Sequence, residues 1–201
     1  MAESVARVRV GPEDHGRRMS FADFQRAEAT TGHIYELARG VVEVTDIPGR
    51  RHALILNEIR LQLGNYTAVH KDVIKYLGGG AEAKTEMPGM ESERHPDLSI
   101  YLASMPKDEY PWDKWVPSIV IEVVSSGGEA HKRDYETKRE EYLAAGVQEY
   151  WIVDPQERSM LALTRHGDEW REHRLAADGD WRSSLMPGFE LRVAAVFAHL
   201  D

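Results

Sequence analysis

Residues 117–155 read PSIVIEVVSSGGEAHKRDYETKREEYLAAGVQEYWIVDP, and their pattern is strand, helix, strand. Ile119 to Val124 is a β-branched run of the kind that fills a buried strand, interrupted by one acid, Glu122. A carboxylate there must be neutralised, paired or bound to a cation, because a lone buried charge is prohibitively costly. Ser125 to Gly128 form a turn that releases the chain into a helix from Glu129 to Ala145, with Gly146 as its C-cap. Asp134, Lys138 and Tyr142 are spaced four apart, so they share one helix face. Glu149 to Val153 returns as a strand, and Asp154-Pro155 ends it.

The composition bounds what surrounds this unit. With 201 residues and 42% hydrophobic content, the chain can bury one compact core and is too short for two full domains. Residues 1–18 mix Arg, Gly, Pro and acids without periodicity and read as a partly ordered arm. Residues 19–201 are expected to form a single domain. No apolar run approaches the roughly 20 residues of a membrane span, and the N-terminus is not signal-like. The expectation is a soluble, cytoplasmic protein with no membrane contact. The absence of cysteine rules out disulfides and thiolate metal sites. A net charge of −9 opposes nonspecific attraction to nucleic acid, so contact with a polyanion needs a local basic patch or bound cations.

Upstream, Ser20 with Asp23 signals the start of a short helix running to about Ala29. His33 to Leu37 and Val41 to Thr45 form a hairpin through Arg39-Gly40. From His52 to about Tyr66, Ile55, Ile59 and Leu63 recur at helical spacing. Val73 to Leu77 is a strand and Ala81 to Glu86 a further extended piece. Between them, GGGAEAKT (residues 78–85) comes close to a phosphate-binding loop, but Ala83 replaces its second Gly. No helix start follows, so a nucleotide-binding reading is rejected. Pro96 and Asp97 open a strand over Leu98 to Leu102, and residues 105–115 form a loop with exposed Tyr110, Trp112 and Trp115 that could stack on bases or seal a dimer. After Pro155 come a meander of short strands, Ser159 to Arg165, Glu169 to Arg174 and an edge near Trp181, and a closing helix over Val193 to Leu200.

This order predicts an α/β (α+β) sandwich around a central mixed sheet flanked by helices. In it Asp97 begins one strand, Glu122 lies in the neighbouring one, and Lys138 reaches the same place from the following helix. Carboxylate oxygens without Cys or paired His favour Mg²⁺ or Mn²⁺ over zinc. A hard cation held by two acids is the usual apparatus of phosphodiester hydrolysis.

At these residues the chain resembles the Uma2 family, formerly a domain of unknown function, within the PD-(D/E)XK nuclease superfamily. The resemblance rests on His95-Pro96-Asp97, Ile121 to Val123 followed by Ser125, the Asp134 to Lys138 spacing, Tyr142, and Gly146-Val147 through Pro155. It extends over Ser20 to Ala198, taking in the Tyr35-Glu36-Leu37 and Gly40 motif and His52 on the first long helix. It implies a restriction-endonuclease-like core with an extra N-terminal hairpin and a C-terminal β meander. It further implies that Asp97, Glu122 and the backbone carbonyl of Val123 hold Mg²⁺ or Mn²⁺, and that the substrate is nucleic acid, DNA first. One departure stands out: two residues after Glu122 the chain has Val124, where the superfamily has lysine. Lys138 matches a known migrated position, where its ammonium orients water or offsets charge on phosphate. Asp134 would hold Lys138 in place, and Glu58 or Glu36 could supply a further acid.

Each residue also has a plainer reading. Lys138 and Asp134 could be an ordinary helix ion pair, Tyr142 core packing, Glu58 and Glu36 solvated acids, and His52 and His95 structural or cleft-lining groups. Two alternatives to a metal-dependent DNA endonuclease stay open. One is a non-catalytic nucleic-acid-binding or protein-interaction module, such as a homodimer. The other is a hydrolase of a different phosphoester.

Overall fold

The structure is a computed structural model that describes residues 8–102 and 115–200. The first half runs β1 (Arg9–Val10), α1 (Phe21–Arg26), β2 (Glu28–Ala29), β3 (His33–Ala38), β4 (Val41–Asp46), α2 (Arg50–Val69), β5 (Ile74–Gly78), β6 (Thr85–Met87), β7 (Ser92–Arg94) and β8 (Leu98–Leu102). The second half runs β9 (Ile119–Val123), α3 (Gly128–Lys132), α4 (Lys138–Ala145), β10 (Glu149–Asp154), β11 (Ser159–His166), β12 (Glu169–Leu175), β13 (Asp180–Trp181), β14 (Leu191–Arg192) and α5 (Val193–Phe197). Two compact units result: Met1–Ile47 with Glu86–His95, and Pro48–Thr85 with Pro96–Asp201.

In the first unit, β3 and β4 pair antiparallel from His33 with Asp46 to Ala38 with Val41. Arg39 and Gly40 between them both take positive φ, the geometry that matches strand twist in a two-residue hairpin turn. The sheet order is β4-β3-β7-β6. Val10, Met19, Tyr35, Leu37 and Val42 form its apolar core. Ser20 caps α1 by accepting from Asp23 N–H at 3.1 Å. The helix stops at Arg26, three residues short of the expected end, because Glu28 and Ala29 pair as β2 alongside β1.

The second unit is built on a six-stranded mixed sheet, ordered β12-β11-β10-β9-β8-β5. The β9–β10 pair is parallel, with Ile121 opposite Trp151 and Glu122 opposite Ile152. All five residues of β9 are buried, as befits a central strand covered on both faces. The pleat sends alternate side chains to opposite faces. Ile119, Ile121 and Val123 join one core cluster with Ile55, Ile59 and Leu63 of α2. Val120 and Val124 join another with Tyr142 of α4, Tyr150 and Ile152. Glu122 shares the parity of Val120 and Val124, so it faces the α4 side.

Three expected elements differ in form. The extended piece over Ala81 to Glu86 is a 3-10 turn, Gly80–Ala83, followed by β6. The closing helix is α-helical only through Phe197 and ends in a 3-10 turn, Ala198–Leu200. The helix between β9 and β10 starts at Gly128 and carries a π-helical turn, Arg133–Thr137, between α3 and α4. Gly146 caps it in the left-handed region as expected (φ 98°).

The glycine run that imitates a phosphate loop has a packing role. A Cβ on Gly79 would lie 2.2 Å from the carbonyl oxygen of Asp97, while Gly80 N–H donates to Pro96 O at 2.7 Å. The backbone ahead of β8 therefore lies directly against this glycine. Gly79→Ala is expected to push the Pro96–Asp97 segment away and lower the thermal midpoint by several degrees, about 1–3 kcal/mol of overpacking. Calorimetry against Gly89→Ala, where a Cβ meets nothing within 4 Å, checks this.

Candidate active site

Strands β8 and β9 are antiparallel neighbours, with Leu98 opposite Ile121 and Ser99 opposite Val120. Continuing that register by one residue sets Asp97 beside Glu122. Asp97 Oδ2 accepts the N–H of Val123 at 2.7 Å, so the loop acid is tied to the strand that carries Glu122. Its other oxygen, Oδ1, stands 2.9 Å from Nε2 of His52 in the first turn of α2.

Glu122 is 3% exposed and does not stand alone. Lys138 Nζ lies 2.9 Å from Glu122 Oε1, and Tyr142 Oη donates to the same oxygen at 2.6 Å. Lys138 Nζ is also 3.5 Å from Asp134 Oδ1. All four side chains are buried. In a low-dielectric setting such pairs need close geometry to offset desolvation, and here the ammonium sits between two carboxylates. Residue 124 is Val, and the ammonium beside Glu122 comes from the next helix.

The π-helical turn helps to set this arrangement. Asp134 lies within it and Lys138 follows directly after it. A π turn widens the helix and leaves backbone groups short of their usual partners. The carbonyl of Asp134 accepts from Tyr150 Oη at 2.9 Å, and that hydroxyl comes from β10 underneath. Tyr150 and Tyr142 also meet edge to face, ring centroids 5.0 Å apart. Tyr142 therefore packs and donates at once.

The remaining candidates lie in other settings. Glu58, on α2, accepts from Gln62 at 3.1 Å, with His199 at 3.9 Å. Glu36 belongs to the first unit, where Arg94 reaches it at 3.1 Å and His95 N–H donates to it at 2.6 Å. Arg94 is fully buried and also bridges to Glu43. Glu36 is thus held in a buried ion-pair network. Trp115, expected to be exposed, is 6% exposed. It packs beside Tyr101 with Lys75 Nζ 4.6 Å from its ring centre, because its ring fills the cluster with Ala83. Tyr110 and Trp112 lie outside the described residues.

Among the described residues no three His, Asp or Glu side chains converge into a ready cage for a metal ion. The donors are nonetheless carboxylate oxygens, Asp97 just ahead of β8 and Glu122 within the neighbouring β9. That chemistry fits a hard cation of the Mg²⁺ type, which takes one or two carboxylates and keeps several waters.

A further buried acid lies at the other end of the β9–β10 pair from Glu122. Glu149 opens β10, is 1% exposed, and accepts from Trp151 Nε1 and Ser183 Oγ, each at 3.0 Å. Burial raises its pKa, and the hydrogen bonds from Trp151, Ser183 and Ser184 counter only part of that. Because its folded pKa lies above the unfolded one, its contribution to stability is complete below the unfolded value and fades as pH rises through the folded value. Glu149→Gln is expected to flatten this decline across the weakly acid range. Urea melts of both proteins over that range are the measurement.

Among the described residues no helix is long and apolar enough to cross a membrane. No curated protein matches the chain. A crystal structure described as that of a "putative nuclease belonging to DUF820" from Anabaena variabilis is similar to it, with a TM-score of 0.70 and 17% identity, covering 91% of this chain and 99% of that one. At that identity the likeness shows a shared nuclease-type fold. The family model of Uma2, described as "Putative restriction endonuclease", matches residues 21–194. With a match over that much of its length, the chain belongs to the Uma2 family.

Proposed function

We propose that this protein is a divalent-metal-dependent endonuclease that hydrolyses phosphodiester bonds in DNA. The observation that carries the reading is Lys138: its ammonium rests 2.9 Å from buried Glu122, on the strand whose Val123 N–H holds Asp97. An acid pair on adjoining strands with an amine from the next helix is the equipment a phosphodiesterase needs. Asp97 and Glu122 would hold Mg²⁺ or Mn²⁺, with the Val123 carbonyl as a further oxygen. When bound, such an ion polarises the phosphoryl oxygen and lowers the pKa of water.

The chain's own groups do the rest. Lys138 orients the attacking water and offsets negative charge that grows on the phosphate oxygens. Asp134 and Tyr142 hold Lys138 and Glu122 in place. Water attacks phosphorus in line, a new P–O bond forms, the bond to the sugar oxygen breaks, and that oxygen takes up a proton. The products are a phosphate monoester and a free hydroxyl. An acidic chain with charge −9 approaches DNA through bound cations and local basic groups rather than through its overall field.

Supercoiled plasmid incubated with Mg²⁺ or Mn²⁺ tests the reading. The wild type should nick it, chelation should stop it, and Glu122→Ala should reduce the rate at least about 100-fold. Cleavage that survives Glu122→Ala removes the site, and failure on every nucleic acid removes the activity.

A second reading has its own support. Asp97 Oδ2 and Glu122 Oε1 both already accept protein donors, as they would in a non-catalytic nucleic-acid-binding or protein-interaction module, including a homodimer. Titration calorimetry separates the two, because such a module takes up no divalent ion at these residues.

A further inference from the structure

His52 has the environment that packing alone explains least. It sits in the first turn of α2, its side chain is 11% exposed, and both ring nitrogens are shut off from solvent without a hydrogen bond among the described residues. A buried polar atom without a partner costs about 1–3 kcal/mol, and such atoms in a folded protein call for a reason. Asp97 is the close polar neighbour, with 2.9 Å between His52 Nε2 and Asp97 Oδ1. At that distance the two form an ion pair if the ring is protonated, yet neither ring nitrogen makes a hydrogen bond. The orientation of Asp97 is not accidental, since its other oxygen is anchored by Val123 N–H at 2.7 Å.

Two lone-pair donors this close, yet not bonded to each other, suit a shared cation. If each lay about 2.1 Å from one ion, a 2.9 Å separation would subtend an angle of roughly 90°, the angle between neighbouring ligands in an octahedral shell. Imidazole is a poor ligand for Mg²⁺, whose preferred donors are oxygens, and a better one for the transition metals beginning with Mn²⁺. We propose that His52 Nε2 and Asp97 Oδ1 are adjacent ligands of one divalent ion, and that the imidazole makes the site select Mn²⁺ over Mg²⁺. The inference rests on the metal-dependent reading above and adds a ligand and a choice of ion to it. The remaining positions of the shell belong to further oxygen donors, water among them.

Pulsed electron paramagnetic resonance on the full chain loaded with Mn²⁺ reads the ligand directly, without reference to catalysis. The spectrum of the wild type is expected to show nitrogen coupling from a bound imidazole. His52→Gln should lose that coupling and bind Mn²⁺ about tenfold or more weakly, while its Mg²⁺ affinity moves far less. Mn²⁺ bound in the wild type without nitrogen coupling would overturn the role of His52 and leave Asp97 and Glu122 standing. Coupling that persists in His52→Gln would assign the nitrogen to another histidine and overturn that role as well. No Mn²⁺ uptake at all would overturn both this inference and the reading beneath it. Should the glutamine variant not fold, His52→Asn replaces it, and the wild-type spectrum still decides whether an imidazole is bound.

Discussion

Lys138→Met is expected to leave a folded but much weakened protein with at least about 100-fold slower plasmid cleavage. Methionine keeps most of the length and apolar volume of the lysine stem and removes the ammonium. In the wild type that ammonium is the cation between Glu122, at 2.9 Å, and Asp134, at 3.5 Å, all three nearly out of contact with water. Taking away one partner of a buried pair costs about 3–5 kcal/mol, and here the loss falls mainly on Glu122, since Asp134 keeps Arg133 at 3.5 Å. The stability loss and the rate loss can be told apart. A structural lysine would be served by a variant that restores the fold and keeps Glu122, such as Lys138→Met with Asp134→Asn, which removes one of the two carboxylates left facing the missing ammonium. Part of the stability is expected to return in that double variant, and cleavage is not. Urea unfolding and plasmid nicking under one buffer read both quantities.

Arg94→Met should produce a loss of similar size in stability, about 3–5 kcal/mol, at the other buried cation between two acids. Arg94 is fully buried and meets Glu36 and Glu43 on the hairpin of the first unit. Glu36 also takes the N–H of His95, so the network joins β3, β4 and the end of β7. Arginine suits such a site because its planar fork presents several donors at once. Both ion pairs run from one nitrogen, Nη1, so the single ammonium of Arg94→Lys can face both carboxylates and should recover part of the loss. Equal stability of Arg94→Met and wild type in urea would show that Glu36 has no structural need of its partner.

Much of the architecture was legible because burial writes a simple pattern. Ile119 to Val124 is a β-branched run of the kind that fills a buried strand, and the one acid within it has to be neutralised, paired or bound to a cation. Helical spacing in turn put Asp134, Lys138 and Tyr142 on a single face. The structure joins these two inferences, since the pleat turns Glu122 toward that same helix. The glycine run could be rejected as a phosphate loop for want of a helix, but its true role was not visible. Gly79 is small because the backbone of Asp97, eighteen residues later, passes against it, and contacts at that range leave no local trace. The π-helical turn at Arg133–Thr137 was hidden for a related reason: its residues are ordinary helix formers, and what stabilises the widened turn is Tyr150 on another strand. Arg94 and Glu149 are of charged types that seldom lie fully buried, and only their distant partners make burial tolerable. Trp115 looked like an exposed stacking group because its sequence neighbours are charged, while its ring is enclosed with Tyr101 and Ala83.

Asp97, just ahead of β8, and Glu122, within the neighbouring strand β9, lie side by side by register at one end of these two central strands. A crystal of the wild type soaked in Mn²⁺ and measured at an anomalous wavelength locates the ion without any assay. A single strong peak is expected within about 2.0–2.4 Å of a carboxylate oxygen from each of Asp97 and Glu122, with the Lys138 ammonium still beside Glu122. A fully soaked crystal with no peak there, or with its ion bound only elsewhere, would contradict that placement of the ion.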